Sequence, residues 1–230
     1  MPVIFGTKSV RTPPMLKTLC GVLLLMAILV ACRPDPEVAY GTGDILLRET
    51  FSEQVIGWDN RSSGAVRIGV ESGAYRLRSN VSSYVRGFYR AETYDNVVID
   101  VQGLQFSDHE NNAYGVLCRA ETGDDRASGY YFLVGGDGSY SIRKGQHDEI
   151  NGLVKWGRTD VVNQGEATNR LRGVCVDDYL ALYVNDTFLA DVRDTTYGSG
   201  YIGFAVAVED GETITVSFDN LTILEGVLGD

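Results

Sequence analysis

Helical patterning is missing from this chain. No window of ten or more residues repeats its apolar positions at the helical period, and Ala/Leu/Lys/Glu-rich stretches are not found. That excludes a helical bundle and an alternating α/β fold. Basic charge is scarce too: 20 Lys and Arg stand against 31 Asp and Glu, a formal net charge of −11, with no basic run. Such a surface disfavours nucleic acid and anionic lipid head groups as partners. There is no Gly-x-Ser-x-Gly elbow, no Cys–His pair at usable spacing and no glycine loop leading into a helix. Internal repeats and low-complexity tracts are absent. The two histidines, His109 and His147, sit 38 residues apart beside acids in loop-like segments, which reads as solvated positions and not as a metal pair.

What is present begins with an apolar run. Leu19 to Ala31 is thirteen residues without charge, preceded by Lys8, Arg11 and Lys17 and by no acid. At helical rise it would span only about 20 Å, short of the ~30 Å hydrocarbon core. A basic start, a short apolar stretch and small residues at its end describe a secretion signal, with Met1 or Met15 as the start. Leu29-Val30-Ala31-Cys32 resembles a bacterial lipobox, in which the cysteine is acylated and becomes the mature N-terminus. The resemblance implies Cys32 as the lipidation site and the membrane as a partner through that lipid. Two or three acyl chains suffice for stable anchoring. The expected organisation is a signal peptide over 1–31, a lipidated tether over 32–43 rich in Pro and Gly, and one domain over 44–230. Loss of residues 1–31 takes the net charge from −11 to −14, so anchoring must come from the lipid. Four Asn-x-Ser/Thr sequons, at Asn60, Asn80, Asn185 and Asn220, read as turn residues in such a protein.

Glycine (27) and tyrosine (13) are abundant in a chain of short, alternating segments bounded by Gly, Asn or Asp. In Tyr75-Arg76-Leu77-Arg78 the apolar residues face one way and the arginines the other. Gly135-Gly136-Asp137-Gly138 and Asn185-Asp186 read as tight hairpin turns, and Asp177-Asp178 separates two further strands. Many short strands punctuated by turns predict an all-β sandwich or jelly roll of antiparallel sheets. Cys118 and Cys175 lie in apolar strand-like runs, which favours two buried free thiols; an extracytoplasmic compartment would also let them pair.

Distributed pieces carry a further resemblance: Phe51-Ser52 with Gly57-Trp58, Gly73-Ala74-Tyr75-Arg76-Leu77, Tyr114 to Arg119, Tyr130-Tyr131-Phe132, NRLRGVCVDDYLALYVNDTFLADV, Gly200 to Phe204 and Phe218 to Leu221. In this order the region from Thr50 to Ile223 resembles the concanavalin A-like lectin/glucanase superfamily, near laminin-G-like modules and the 3-keto-disaccharide hydrolase domain. The resemblance implies a jelly-roll β-sandwich. Cys118 and Gly173 depart from its pattern, standing where a bulky apolar and an aliphatic residue are usual. A laminarinase-type member would carry Glu-x-Asp-x-x-Glu on one strand, and no such string occurs, so no catalytic residue is assigned. Structural calcium is found in laminin-G-like relatives; Asp108, Glu110 and Asn111, or Asp219 with the opening strand, are the oxygen donors available for it. No other cofactor or metal is implied.

Saccharide recognition needs aromatic faces for C–H surfaces and planar polar groups for hydroxyls. If Val116, Cys118, Tyr130, Phe132, Val134 and Ile142 face the core, alternation sends Arg119, Tyr131 and Arg143 to one exposed face, with Trp156 in the following loop. These four are the candidate ligand-binding residues. Tyr84, Arg86, Phe88 and Arg90 form a second alternating set. The expected function is non-catalytic binding of a glycan or envelope ligand; a sugar hydrolase and a protein-binding display module are the alternatives.

Overall fold

The computed structural model describes residues 35–52, 55–107, 110–120 and 128–229. Cys32, Asp108 and His109 lie outside the described residues. Among those described there is no helix. The strands are β1 (Tyr40–Glu49), β2 (Arg61–Ser62), β3 (Val66–Glu71), β4 (Ala74–Ser79), β5 (Val85–Tyr94), β6 (Val97–Gln105), β7 (Asn112–Ala120) and β8 (Gly129–Val134). They continue as β9 (Ser139–Gln146), β10 (Glu149–Gly152), β11 (Gly157–Arg158), β12 (Thr168–Val176), β13 (Tyr179–Val184), β14 (Thr187–Arg193), β15 (Gly200–Val208) and β16 (Ile214–Leu228).

Two antiparallel sheets result. One has nine strands in the order β14-β13-β12-β6-β16-β4-β3-β2, with β1 also paired to β16. The other has seven in the order β10-β9-β8-β7-β15-β5, with β11 on β9. The all-β jelly-roll sandwich is the architecture the alternation predicts. The run from Thr168 to Arg193 folds as the β12–β13–β14 meander, and its Asn185-Asp186 turn has φ of 49° and 61°. Two successive positive φ angles are what a two-residue hairpin demands, and Asn and Asp tolerate them.

The interior is aromatic. Trp58 stacks on Phe204 at 5.2 Å, and Phe204 stacks on Phe218 at 4.2 Å, a column running from the β1–β2 loop into the nine-stranded sheet. All six residues assigned to the core of β7, β8 and β9 are buried there. The thiols do not stay free: Cys118 of β7 and Cys175 of β12 form a disulfide between the sheets, with Cα atoms 6.7 Å apart. Alternation had put Cys118 on the inward face, but only the stacking of β7 against β12 brings it to Cys175. Gly173 has its reason in the same contact. A Cβ there would lie 2.9 Å from both Phe132 and Val116, so the opposite sheet already fills the space.

The domain is anchored earlier than Asp44. Strand β1 starts at Tyr40, and the Glu37 amide donates to Asp191 Oδ2 at 2.6 Å. Val38 and Tyr40 pack with the outward-facing Val174, Val176, Tyr179 and Ala181 of the nine-stranded sheet. These apolar residues in a polar, Pro/Gly-rich segment find an apolar patch and strap the chain to it.

Asp194, beyond β14, accepts from Tyr130 OH at 2.7 Å and pairs with Lys144 at 2.7 Å. Burial pushes its carboxyl pKa up, but hydrogen bonds from Lys144, Thr196 and Tyr130 outweigh this and hold it well below the usual carboxylate range. A depressed folded pKa stabilises above the unfolded value of ~4, and the contribution fades as pH falls through the folded value. Asp194→Asn is therefore expected to melt lower than wild type at pH 7, with the gap closing below about pH 4. Thermal melts across that range check it.

Candidate functional site

Alternation places the outward residues correctly on β8 and β9 but says nothing of what covers them. Tyr131 does face away from the core, yet it is fully buried. Its ring meets Tyr84 edge-on at 5.8 Å, and its hydroxyl accepts from Arg86 Nη1 at 3.1 Å. Leu117, Leu133 and Ala205 are buried beside it, with Ile150 and Tyr201 packed against them. The outward side of the seven-stranded sheet is thus a second apolar layer, not an open binding face. Tyr84, Arg86, Phe88 and Arg90 belong to this layer. Both guanidiniums lie over the Phe88 ring, Arg86 at 6.0 Å and Arg90 at 5.1 Å, and Arg90 is further committed to Asp59.

Arg119 is not on that face. The β7–β15 register slips between Leu117↔Gly203 and Ala120↔Tyr201, so Cys118 and Arg119 together oppose Ile202. This bulge resets the alternation, and Arg119 takes a φ of 49°. Its side chain is 1 % exposed and closes the end of the sandwich. Nε donates to Asp95 O at 2.8 Å, Nη1 to Asp177 O at 2.6 Å and Tyr197 O at 3.0 Å, and Nη2 to Asn96 Oδ1 at 3.1 Å. Burial draws its pKa below the ordinary guanidinium value, against the opposing pull of Tyr130, Asp95 and Asp177. Every face of the fork is engaged within the protein, so its place is structural.

Arg143 and Trp156 do come together, and they mark a different site. Arg143 donates to Ile150 O at 2.8 Å, and its guanidinium lies 5.6 Å from the centre of the Trp156 ring. Trp156 remains 43 % exposed. Its loop is fixed by bonds from the Leu153 and Val154 amides to Ile142 O at 2.9 Å and from Ser141 Oγ to Val154 O at 2.7 Å. The indole forms one wall of a cleft of ≈480 Å³ at the end of the seven-stranded sheet opposite Arg119. Ala113 and Ala207, paired across β7 and β15, supply a floor of small side chains.

The polar lining comes from four chain segments. Asp137 and Ser139 belong to the glycine-rich β8–β9 turn, where Asp137 accepts from the Ser139 amide at 2.9 Å and pairs with Arg158. Asn112 accepts from the Gly136 amide at 3.1 Å. Across the cleft, Asn111 donates to Glu209 Oε2 at 2.7 Å, beside Glu110. The lining thus combines one exposed aromatic with amide, hydroxyl, carboxylate and guanidinium groups, the repertoire that grips a polyhydroxylated ring. Trp156 was legible in the sequence; Glu209 and Arg158 were not, because the pairing of β15 with β7 and of β11 with β9 leaves no local signal.

Glu110 and Asn111 are thereby cleft residues. Asp219 turns its carboxylate onto the Asn220 amide at 2.6 Å. Among the described residues no three His, Cys, Asp or Glu side chains gather as a metal site.

No protein-family model matches the chain, and no curated protein matches it. Solved structures do. Carbohydrate-binding module CBM66 from Bacillus subtilis aligns with a TM-score of 0.57 at 16% identity, covering 74% of this chain and 96% of that one. A protein of unknown function with a galectin-like fold, also from Bacillus subtilis, gives 0.60 at 14% identity over 82% and 99%. A Bacillus licheniformis β-glucanase gives 0.58 at 13% identity over 80% and 99%. These likenesses define the class of fold, a concanavalin A-like β-sandwich.

Proposed function

We propose that the chain is a bacterial lipoprotein whose sandwich domain binds a glycan without cleaving it, at the Trp156 cleft. The observation that carries this reading is the exposed indole, backed by Arg143 and set in a pinned loop against a polar-lined floor of small residues. A preordered aromatic surface loses little entropy on binding. Two of the three cleft carboxylates are engaged as structural partners, Asp137 with Arg158 and Glu209 with Asn111. Together with the missing Glu-x-Asp-x-x-Glu string, this favours binding over hydrolysis. Carbohydrate-binding and glucanase neighbours of the same fold support a saccharide as the ligand class.

The anchor fits this arrangement. Tyr40 pairs with Leu228 at the Arg119 end of the sandwich, and the cleft opens at the other end. The nine residues of β7 separate the two ends by about 26 Å. Lipid on Cys32 would tether the domain through the segment that leads into β1. Cys32→Ala is expected to move the protein from the membrane fraction to the soluble one.

A soluble chain starting at Asp35, which keeps the Val38–Tyr40 strap, is the material for a glycan array. Binding to one glycan class, weakened roughly tenfold or more in Trp156→Ala, is the expected result. Silence across the array, or binding indifferent to Trp156, would refute the assignment.

A further inference from the structure

We propose that the outward face of the nine-stranded sheet carries a second saccharide site, independent of the cleft, that accepts a neutral sugar residue. A groove of ≈440 Å³ runs there between Tyr40 and the arginines of β12. Its most telling feature is a bulge. The β16–β6 register shifts between Asp219 and Thr222, and Asn220 takes a φ of 54°. Phe218 and Leu221 are both buried in the core, so the extra residue turns two successive polar side chains to the outside. Asn tolerates the left-handed conformation that the bulge imposes, so its amide is presented over the groove.

The hydrogen-bonding groups there are only half used. Asn220 Nδ2 donates to Gln102 Oε1 at 3.2 Å and to Asp219 Oδ2 at 3.3 Å. Asn220 Oδ1 and Gln102 Nε2, an acceptor and a donor on adjacent side chains, have no protein partner among the described residues. Vicinal sugar hydroxyls match such a pair. Tyr40, fixed edge-on by Tyr183 at 5.8 Å, supplies the apolar wall.

Charge balance sets the ligand class. Arg170 forks onto Asp100 at 2.7 and 2.9 Å and reaches Asp186 at 3.0 Å, while Arg172 bonds Asp100 at 2.9 Å. Two guanidiniums face two carboxylates, leaving no spare positive charge for a phosphate, sulfate or uronate. With the cleft on the opposite sheet, one chain would hold two points of a glycan network and gain avidity without new contacts.

Calorimetry on the full-length lipoprotein in a non-glycosidic detergent tests this, with gluco-, xylo- and fructo-trisaccharides as neutral probes and trigalacturonate as the anionic one. Asn220→Gly removes the side chain where glycine suits the backbone, so the fold is kept and the melting temperature does not fall. The expected stoichiometry is two for wild type and one for Asn220→Gly. Binding that survives in Trp156→Ala and vanishes in Asn220→Gly supports the groove even if the cleft assignment fails. A wild-type stoichiometry of one that Asn220→Gly leaves unchanged overturns the proposal. So does preference for trigalacturonate, or no binding of any probe.

Discussion

Replacing Cys118 and Cys175 together by alanine lowers the unfolding free energy by roughly 4 kcal/mol. The magnitude follows from the 57-residue separation that the disulfide closes. Position matters as much as loop length. Each sheet is laced by its own backbone hydrogen bonds, but β7 and β12 belong to different sheets and meet through side chains. The disulfide is the covalent tie across that layer, set among Phe132, Val116 and Leu171 in the core. Urea unfolding with and without reductant measures the effect. Wild type should lose its midpoint advantage when reduced, and the double variant should not respond. A wild-type midpoint indifferent to reductant, with two titratable thiols in the unfolded chain starting at Asp35, would contradict the crosslink.

Arg119→Met is expected to destabilise by about 3 kcal/mol or more. The substitution keeps the apolar stem but strips donors from the carbonyls of Asp95, Asp177 and Tyr197 and from Asn96 Oδ1. Those acceptors belong to the β5–β6 turn, the β12–β13 turn and the link between β14 and β15, so one guanidinium fastens three crossings at the end of the sandwich. Lysine restores charge but not the planar fork, and Arg119→Lys should recover less than half of the loss. A surface arginine poised for a ligand would behave differently, changing stability by no more than ~0.5 kcal/mol. Chemical denaturation separates the two roles without any ligand in hand.

The residues that sequence reading placed well are those whose environment is set locally. Alternation in β7, β8 and β9 sorted Val116, Tyr130, Phe132 and Ile142 inward and Tyr131 and Arg143 outward, and the hairpin at Asn185-Asp186 announced itself by residue type. What failed was non-local. A period of two assigns a side of the sheet, but burial of Tyr131 depends on Tyr84 and Arg86 reaching across from β5. The same period breaks without warning at a bulge, which sent Arg119 to the end of the core. Pairing of Cys118 with Cys175 required knowing that β7 lies over β12. The candidate site shifted for the same reason: Trp156 was visible as an aromatic in a loop, while its partners Glu209 and Arg158 arrive through strand pairings between distant segments.

The chain has two tryptophans, Trp156 at the cleft and Trp58 in the aromatic column of the core. Their indole N–H signals in a nitrogen-15 correlation spectrum therefore report the two places separately. Titration with a glycan that binds on the array should move the Trp156 signal in a saturable way and leave Trp58 in place. Saturable binding with the Trp156 signal unmoved would contradict a ligand seat in the cleft.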